Sequence, residues 1–394
     1  EVMRHGRLHR YNTVAGEISH TALLEEEFAA LTGAKYALAV ASGGYAIGAA
    51  LRAAGVQHGD RVLTNAFTLA PVPGAIASVG GIPDLVEVTE DLVIDLDHLE
   101  TKAATGQSKY LLLSHMRGHI CDMDRLMAIC TAHGITVIED CAQAPGAQNN
   151  GKFAGTLGDI GVFSLNYHKH IHSGEGGILV TDDDALAEKL RMIRNHAEAV
   201  VGPRDYPDLT NMLGFNYRMT EVEAAIALSQ LDKLDGLLAK RLDNIAYLEA
   251  GLSDIAALRA PKVRDGASHA FYQHAYLWDA DGADLDRNTF VEAVKAELPM
   301  FELRETEGVK LGAGYVRPLY HLPIFASDDR RSNFTRQWPD YSDTSCPVLE
   351  RLHHHDLLHH EFMVPSMNTS DLDDVIAAFQ KVWAQRDRLR KTAP

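Results

Sequence analysis

The first half of the chain alternates between short apolar runs and longer stretches whose apolar residues recur at helical spacing. The short runs predict strands at 36–40, 60–64, 83–88, 109–115, 135–140, 160–165 and 176–182. The longer stretches predict helices at 44–54, 71–79, 122–133 and 184–196. Strands and helices that alternate in this way favour an α/β fold, in which helices cover both faces of a mostly parallel sheet.

The pattern changes twice in the second half of the chain. The stretch "LGFNYRMTEVEAAIALSQLDKLDGLLAKRLDNIAYLEAGL" (213–252) predicts a long helical region, and Thr220 with Glu223 has the spacing of a capping box. Beyond about residue 250 shorter strands and loops follow, and a helix closes the chain. We therefore expect an N-terminal arm with a large domain at 1–250 and a smaller α+β domain at 251–394.

Composition limits the possible partners and compartments. The 394 residues carry a net charge of −17, which disfavours nucleic acid as a general partner because phosphate binding needs a basic face. No apolar run reaches the ~18 residues that a membrane span needs, and the first residues lack the core of a signal peptide. The four cysteines show no CxxC spacing, so we expect a cytoplasmic protein. From the lack of a long apolar run we expect no membrane partner.

Candidate ligand contacts lie where predicted strands end, because open α/β sheets bind ligands at the carboxyl ends of their strands. "AVASGGYAIGAAL" (39–51) is a strand followed by Ser42, Gly43 and Gly44 and then a helix. Small residues let a ligand approach the backbone, and the free N–H groups of a helix N-terminus suit a phosphate. A plain tight turn before a helix would give the same pattern.

A second strand, in "TVIEDCAQAPGA" (136–147), ends in Glu139 and Asp140, and Gln143 follows. An acid at this position can cap the next helix. It can also lie beneath a heteroaromatic nitrogen and keep that nitrogen protonated. The sequence leaves both interpretations open at this point.

The stretch "FSLNYHKHIHSGEGG" (163–177) suggests two different chemistries. On an extended segment His168, His170 and His172 would share one face and could bind a metal, with "HHHDLLHH" (353–360) as a source of further ligands. Lys169, just before a glycine-rich turn, could instead form a Schiff base with an aldehyde cofactor. A phosphate turn, Asp140 and Lys169 in this order supply the parts that pyridoxal 5′-phosphate needs, so we favour that cofactor and expect no metal.

The chain resembles the DegT/StrS-type sugar aminotransferases, which are pyridoxal-phosphate enzymes with the aspartate aminotransferase fold (fold type I). The resemblance rests on "ASGG", "GDRVLTNAFTLAPV", "IEDCAQAPGA", "GDIGVFSLNYHKHIHSGEGGILVTDD" and "GFNYRMTEVEAA", which follow one another in the family's order. It implies a large domain with a mostly parallel sheet between helices and a smaller C-terminal α+β domain. It also implies a homodimer with sites shared between the subunits.

Carried over by position, the resemblance makes Lys169 the Schiff-base lysine and Asp140 the partner of the pyridine nitrogen. Gln143 would approach the 3′-hydroxyl group of the cofactor. Asn216 would reach the phosphate of the other subunit's cofactor. The remaining phosphate contacts would come from the serines and glycines of two turns: Ser42, Gly43, Gly44 and Ser164.

Some positions depart from the family pattern. Relatives usually place an aromatic ring against the cofactor where this chain has Leu69, so stacking would become aliphatic packing; Phe67 is a weaker candidate for that role. Relatives commonly have Ser-Gly-Thr where this chain has Ser-Gly-Gly. For the substrate we select four residues from the lysine segment and from "YVRPLYHLPIF" (315–325): His168, His170, Arg317 and His321.

The resemblance implies an aminotransferase that moves an amino group from an amino acid, glutamate or glutamine in most relatives, to a keto group. The acceptor would be a nucleotide-linked deoxysugar or a related sugar or cyclitol. Two alternatives stay open, a sugar dehydratase that uses the same cofactor and a regulator that binds the cofactor without catalysis. The presence of both Lys169 and Asp140 favours transamination.

Overall fold

The computed structural model describes residues 1–197, 213–299, 311–325 and 335–389. Most strands belong to two sheets and two form a small hairpin. Their bounds are β1 Tyr36–Val40, β2 Arg61–Asn65, β3 Ile82–Val86, β4 Ser108–Ser114, β5 Thr136–Asp140, β6 Gln148–Asn149, β7 Lys152–Phe153, β8 Ile160–Ser164, β9 Gly177–Thr181, β10 Leu258–Arg259, β11 His274–Trp278, β12 Leu311–Ala313 and β13 Leu357–His360.

Helices flank both sheets and occupy the start and end of the described chain. The α-helices are Val2–His5, His20–Thr32, Gly43–Ala54, Pro71–Ser78, Leu96–Ala103, Met123–Ala132, Asp184–Arg194, Glu221–Leu231, Leu234–Leu252, Ala280–Ala283, Arg287–Glu297, Pro347–Arg351, Thr369–Ala384 and Arg386–Leu389. Short 3-10 turns lie at Met116–Gly118, Leu319–His321 and Pro323–Phe325, and a π turn lies at Leu352–Asp356. Within the described ranges, every helix is too short or too polar to cross a membrane.

The large sheet has seven strands in the order β1-β9-β8-β5-β4-β2-β3. Five neighbouring strands, from β8 to β3, run parallel, and β9 lies antiparallel between β8 and β1. Because β5 and β8 are parallel neighbours, their last residues, Asp140 and Ser164, lie at the same edge of the sheet. A smaller antiparallel sheet has the order β10-β11-β13-β12.

Helix Leu234–Leu252 belongs to two hydrophobic cores. Its first half packs with the core beneath the large sheet, which includes Phe28 and Phe163, through Leu234 and its neighbours. Its second half, at Leu248 and Leu252, packs with the core of the smaller sheet. The expected domain division at residue 250 therefore falls within a continuous helix, and 1–250 and 251–394 remain our proposed domains.

The predicted α/β class is confirmed, because the mostly parallel sheet lies between helices and a smaller α+β unit follows it. The seven predicted strands of the large sheet form, with ends that differ by one or two residues. The capping box at Thr220 and Glu223 is present. The predicted helical region 213–252 contains two helices rather than one, and helix Leu96–Ala103 was not predicted.

Candidate active site

A cavity of about 280 Å³ lies at the carboxyl end of the parallel strands. Its walls come from the turns that follow β1, β2, β4, β5 and β8. The lining residues are Ser42, Gly43, Gly44, Ile47, Thr68, Leu69, Pro71, Val72, Ser114, His115, Met116, Asp140, Ala142, Gln143, Ser164, Asn166, Lys169 and Glu175. Eight of the residues that we expected to bind the cofactor, from Ser42 to Lys169, are thus brought together, although the sequence separates them by more than a hundred positions.

Asp140, the last residue of β5, is the buried acid of this cavity. Its Oδ1 accepts a hydrogen bond from the Ala142 amide (3.0 Å), and its Oδ2 accepts one from the Ser114 hydroxyl (3.1 Å). Ser114 in turn is hydrogen-bonded to the hydroxyl of Thr68 at 2.8 Å. Burial raises the pKa of Asp140, and the nearby charge of Lys169 opposes that rise.

Lys169 enters the cavity from the loop between β8 and β9. Its amide donates to the Asn166 carbonyl (2.9 Å), and its Nζ lies over the ring of Tyr272, 4.6 Å from the ring centroid. Burial lowers the pKa of the Lys169 amine, while the charge of Asp140 acts in the opposite direction. A lowered pKa leaves a larger fraction of the amine unprotonated at neutral pH, and the unprotonated amine is the form that acts as a nucleophile or base.

The Ser42–Gly44 turn forms a narrow cup at the N-terminus of helix Gly43–Ala54. Ser42 caps that helix by accepting a hydrogen bond from the Tyr45 amide. A Cβ atom at Gly43 would lie 2.8 Å from the Cβ of Ser164, so the two turns touch only because Gly43 has no side chain. The cup therefore combines backbone N–H groups of a helix start with two serine hydroxyls, which suits a phosphate.

The orientation of the Gln143 amide follows from its hydrogen bonds. Its carbonyl oxygen accepts from the Arg117 amide (2.6 Å), and its NH2 group donates to the Tyr315 hydroxyl (2.9 Å). Gln143 consequently presents a donor on the side of the cavity. Arg117 adopts a left-handed backbone conformation with φ of 62°, and burial lowers its pKa to about 10.

Leu69 and Asn216, which we also expected to contact a cofactor, differ in their positions. Leu69 lines the cavity and is 36% exposed, whereas Phe67 is fully buried in the core behind it. Asn216 is exposed and pairs through its backbone with Asn195, and it does not line the cavity of its own chain.

The four substrate candidates do not line the cavity. His168 is exposed and lies against the ring of Tyr167, with 3.7 Å between the ring centroids. His170 is buried and donates from Nε2 to the Ala270 carbonyl (2.7 Å), so it anchors the lysine segment. Arg317 and His321 are exposed in the segment that follows β12.

The metal alternative depended on an extended segment, and the structure has a turn at 167–168 and bends at 169–171 instead. His168 and His170 therefore do not share a face: one is exposed and the other is buried. In "HHHDLLHH" (353–360), the first half forms a π turn and the second half forms β13, where His360 is buried.

Sequence reasoning missed a buried hydrogen bond between His115 and Glu139 beside the cavity. His115 Nε2 lies 2.8 Å from Glu139 Oε2, and Glu139 also accepts hydrogen bonds from the amides of Gly155, Leu157 and Gly158. Strand alternation could have indicated it, because Glu139 and Asp140 must point to opposite faces of the sheet. Although burial opposes ionisation of Glu139, these partners outweigh it and lower its pKa.

Comparison with known proteins agrees with this geometry. The profile of the DegT/DnrJ/EryC1/StrS aminotransferase family matches residues 8–380. The aminotransferase from Psychrobacter cryohalolentis has a similar structure, with a TM-score of 0.82, 25% identity, and coverage of 98% of this chain and 95% of that one. Fold and site thus define an aminotransferase.

Two curated relatives cover most of the chain. A pleiotropic regulatory protein of Geobacillus stearothermophilus is 35% identical over 83% of this chain and 81% of its own length. A putative L-glutamine:3-amino-2,3-dideoxy-scyllo-inosose aminotransferase of Micromonospora echinospora is 31% identical over 93% of this chain and 87% of its own length. The chain belongs to the DegT/DnrJ/EryC1/StrS aminotransferase family, and that family implies pyridoxal phosphate as cofactor.

Glu139→Gln tests this buried carboxylate. We expect the free energy of unfolding at pH 7 to fall by about 3 kcal/mol, because the substitution replaces one of the two acceptor oxygens by an NH2 group and leaves buried donors without a partner. Since the pKa of Glu139 lies below its ordinary value of 4.5, its contribution is present above that pH and is lost as the pH falls further. Urea unfolding at several pH values should show a difference between the two proteins that shrinks below pH 4.5.

The matched control is Glu100→Gln, which removes an exposed carboxylate paired with Arg125. Its effect should stay below about 1 kcal/mol. Equal stability of wild type and Glu139→Gln at pH 7, or a difference that grows on acidification, would contradict a stabilising role of the ionised Glu139 carboxylate.

Proposed function

We propose that the chain uses pyridoxal 5′-phosphate to move an amino group from L-glutamate or L-glutamine to a keto group. The acceptor is a nucleotide-linked deoxysugar or a related sugar or cyclitol. The observation that carries this proposal is the pair of buried, oppositely charged groups, Lys169 and Asp140, which share one cavity with a glycine–serine cup.

The residues present fit this cofactor. Asp140 is a buried carboxylate whose pKa is raised by burial, and a protonated ring nitrogen would restore its ionised form. Gln143 presents an N–H donor, which suits the oxygen of a ring hydroxyl group. The Ser42–Gly44 cup, with Ser164, is of the kind that accepts a phosphate, and Leu69 offers an apolar surface for a ring.

Each residue has a separate task in the reaction. Pyridoxal phosphate supplies an aldehyde that condenses with amines and a ring that accepts the electron pair of a broken C–H bond. The buried amine of Lys169 would hold the cofactor as a nucleophile and would then act as the base that moves the proton. Asp140 would keep the ring nitrogen protonated, and Gln143 with the Ser42–Gly44 cup would orient the ring.

The donor and the class of acceptor are supported by the relatives. The name of the Micromonospora echinospora relative gives L-glutamine as the donor and a keto-cyclitol as the acceptor. The family resemblance supports nucleotide-linked sugars as the alternative acceptors. The four buried, free cysteines are compatible with the reducing cytoplasm that the sequence predicts.

A role in regulation is the second candidate, because the Geobacillus stearothermophilus relative is named as a regulatory protein. A regulator that binds the cofactor would keep the cavity but would not need the amine of Lys169 as a base. Dehydration of a sugar is the third candidate function. Reaction with an amino donor distinguishes transamination from regulation and from dehydration.

We also propose a homodimer whose sites are shared between subunits. Three apolar side chains close to the cavity are strongly exposed in the single chain: Tyr45 at 49%, Leu69 at 36% and Tyr167 at 53%. Asn216 is exposed and lies outside its own cavity, which supports a contact with the cofactor of the other subunit.

The first experiment records the visible absorbance of the purified protein before and after addition of L-glutamine or L-glutamate. We expect the yellow band of the bound cofactor to bleach with one of these donors and to return with a keto-sugar or keto-cyclitol acceptor. Lys169→Ala should show no bleaching within the same time. A band that ignores both donors would contradict the proposed transamination and would favour the regulator or the dehydratase.

Gly43→Ala tests the cup. The new Cβ would lie within 2.8 Å of Ser164, so we expect the Kd of pyridoxal phosphate to rise at least about tenfold. The control is Gly44→Ala, whose Cβ would meet only the Ser42 hydroxyl at 4.0 Å. Spectroscopic titration of the cofactor-free protein measures both values. Equal affinity of the two variants would argue against a phosphate in this cup.

Subunit complementation tests the shared site. Lys169→Ala and Asn216→Ala should each be inactive alone, whereas hybrids refolded from an equal mixture should recover about one quarter of wild-type activity. Random pairing makes half of the dimers hybrids, and each hybrid has one intact site of its two. Activity that stays at the level of the single variants would show that Asn216 does not serve the other subunit.

A further inference from the structure

Residues 269–272, which precede β11, lie directly behind the lysine segment and are held there from three sides. Ala270 donates its amide to the Gly118 carbonyl and Tyr272 donates its amide to the Arg117 carbonyl, both at 2.9 Å. The Ala270 carbonyl accepts the hydrogen bond from His170 Nε2. The backbone next to Tyr272 is therefore tied both to the turn that orients Gln143 and to the residue after Lys169.

A fourth hydrogen bond comes from helix Leu234–Leu252. Arg241 on this helix donates from Nη1 to the Phe271 carbonyl at 2.9 Å, and burial lowers the pKa of Arg241 to about 10. Hydrogen bonds to the carbonyls of Ala270 and Phe271 and from the amide of Tyr272 restrain the backbone on the N-terminal side of Tyr272. They hold the backbone of Tyr272 beside the lysine segment.

The ring of Tyr272 faces the amine of Lys169, which would change its charge during proton transfer. Lys169 Nζ lies 4.6 Å from the ring centroid, within the ~6 Å at which an ammonium ion is attracted to an aromatic face. The attraction acts on the protonated amine and leaves the neutral amine almost unaffected. The other ionisable groups that interact with Lys169 are Asp140, across the cavity, and His170, next along the chain.

We propose that Tyr272 is a further catalytic residue, whose ring holds the ammonium form of Lys169 while this amine carries the proton. The proposal rests on the proposed function, in which Lys169 is the base. The Lys169 nitrogen would take one proton from the donor carbon and would deliver the same proton to the former aldehyde carbon of the cofactor, while the electron pair of the broken C–H bond would pass into the ring system that the cofactor supplies. The step needs no other reactant.

The test compares Tyr272→Leu, which removes the ring, with Tyr272→Phe, which keeps the ring and removes only the hydroxyl. The full-length protein is freed of cofactor, and Lys169 is labelled with acetic anhydride over a range of pH. Mass spectrometry of the peptide then gives the pKa of the amine. We expect Tyr272→Leu to lower this pKa by about one unit, because the ring no longer stabilises the charged form, and Tyr272→Phe to leave it unchanged.

A second readout is the single turnover of the cofactor-loaded protein with the amino donor. Tyr272→Leu should lower the limiting rate about tenfold at an unchanged half-saturating donor concentration, and Tyr272→Phe should stay within about twofold of wild type. A purely structural role would change donor binding or affect both variants. If Tyr272→Leu does not fold, Tyr272→Met, which also lacks a ring, replaces it.

The outcomes separate the two proposals. An unchanged lysine pKa in Tyr272→Leu, or an equal change in Tyr272→Phe, overturns the role of the ring. If no amino donor reacts with the wild type, the proposed function fails, whereas the labelling experiment still decides whether the ring of Tyr272 stabilises the ammonium form of Lys169.

Discussion

The attraction between the buried carboxylate of Asp140 and the buried amine of Lys169 is the interaction on which the rest of the site depends. Burial raises the pKa of the acid and lowers that of the amine, so each group is displaced towards its neutral form and depends on the other for its charge. A pair of this kind contributes little net stability, because the loss of hydration offsets most of the attraction. The position of this pair at the carboxyl end of the sheet is better explained by a ligand that binds to both groups.

The sheet holds this pair in place. β5 and β8 are parallel neighbours, so Asp140 and the start of the lysine loop leave the sheet at one edge. The hydroxyl groups of Thr68 and Ser114 support the acid from β2 and β4, and the smaller unit reaches the same site through Tyr315 and Tyr272. Helix Leu234–Leu252 packs in the cores of both units. One helix therefore connects the two parts of the structure that contribute residues to the site.

Local patterns in the sequence were sufficient for most of the fold and for the centre of the site. Strands buried on both faces give continuous apolar runs, which explains why those of the large sheet could be located. Helix Leu96–Ala103 was missed because its sequence, "LDHLETKA", is mostly polar. His170 was assigned to the substrate from its place beside Lys169, but a turn directs it into the core, where Ala270 accepts its hydrogen bond.

The residues around Lys169 that could not be predicted depend on contacts between distant parts of the chain. Tyr272 and Tyr315 lie more than a hundred positions from the side chains they contact, and no periodicity encodes such a contact. The orientation of Gln143 depends on the left-handed backbone at Arg117, a conformation that a residue other than glycine rarely adopts and that propensity does not predict.

The central claim is that Lys169 holds the cofactor in this cavity, and borohydride reduction tests it most directly. The protein is loaded with pyridoxal phosphate, reduced, denatured and digested, and the modified peptide is identified by mass spectrometry. We expect a pyridoxyl group on Lys169 that is absent from Lys169→Ala treated in the same way. A label on another lysine, or a label of equal amount in Lys169→Ala, would contradict it.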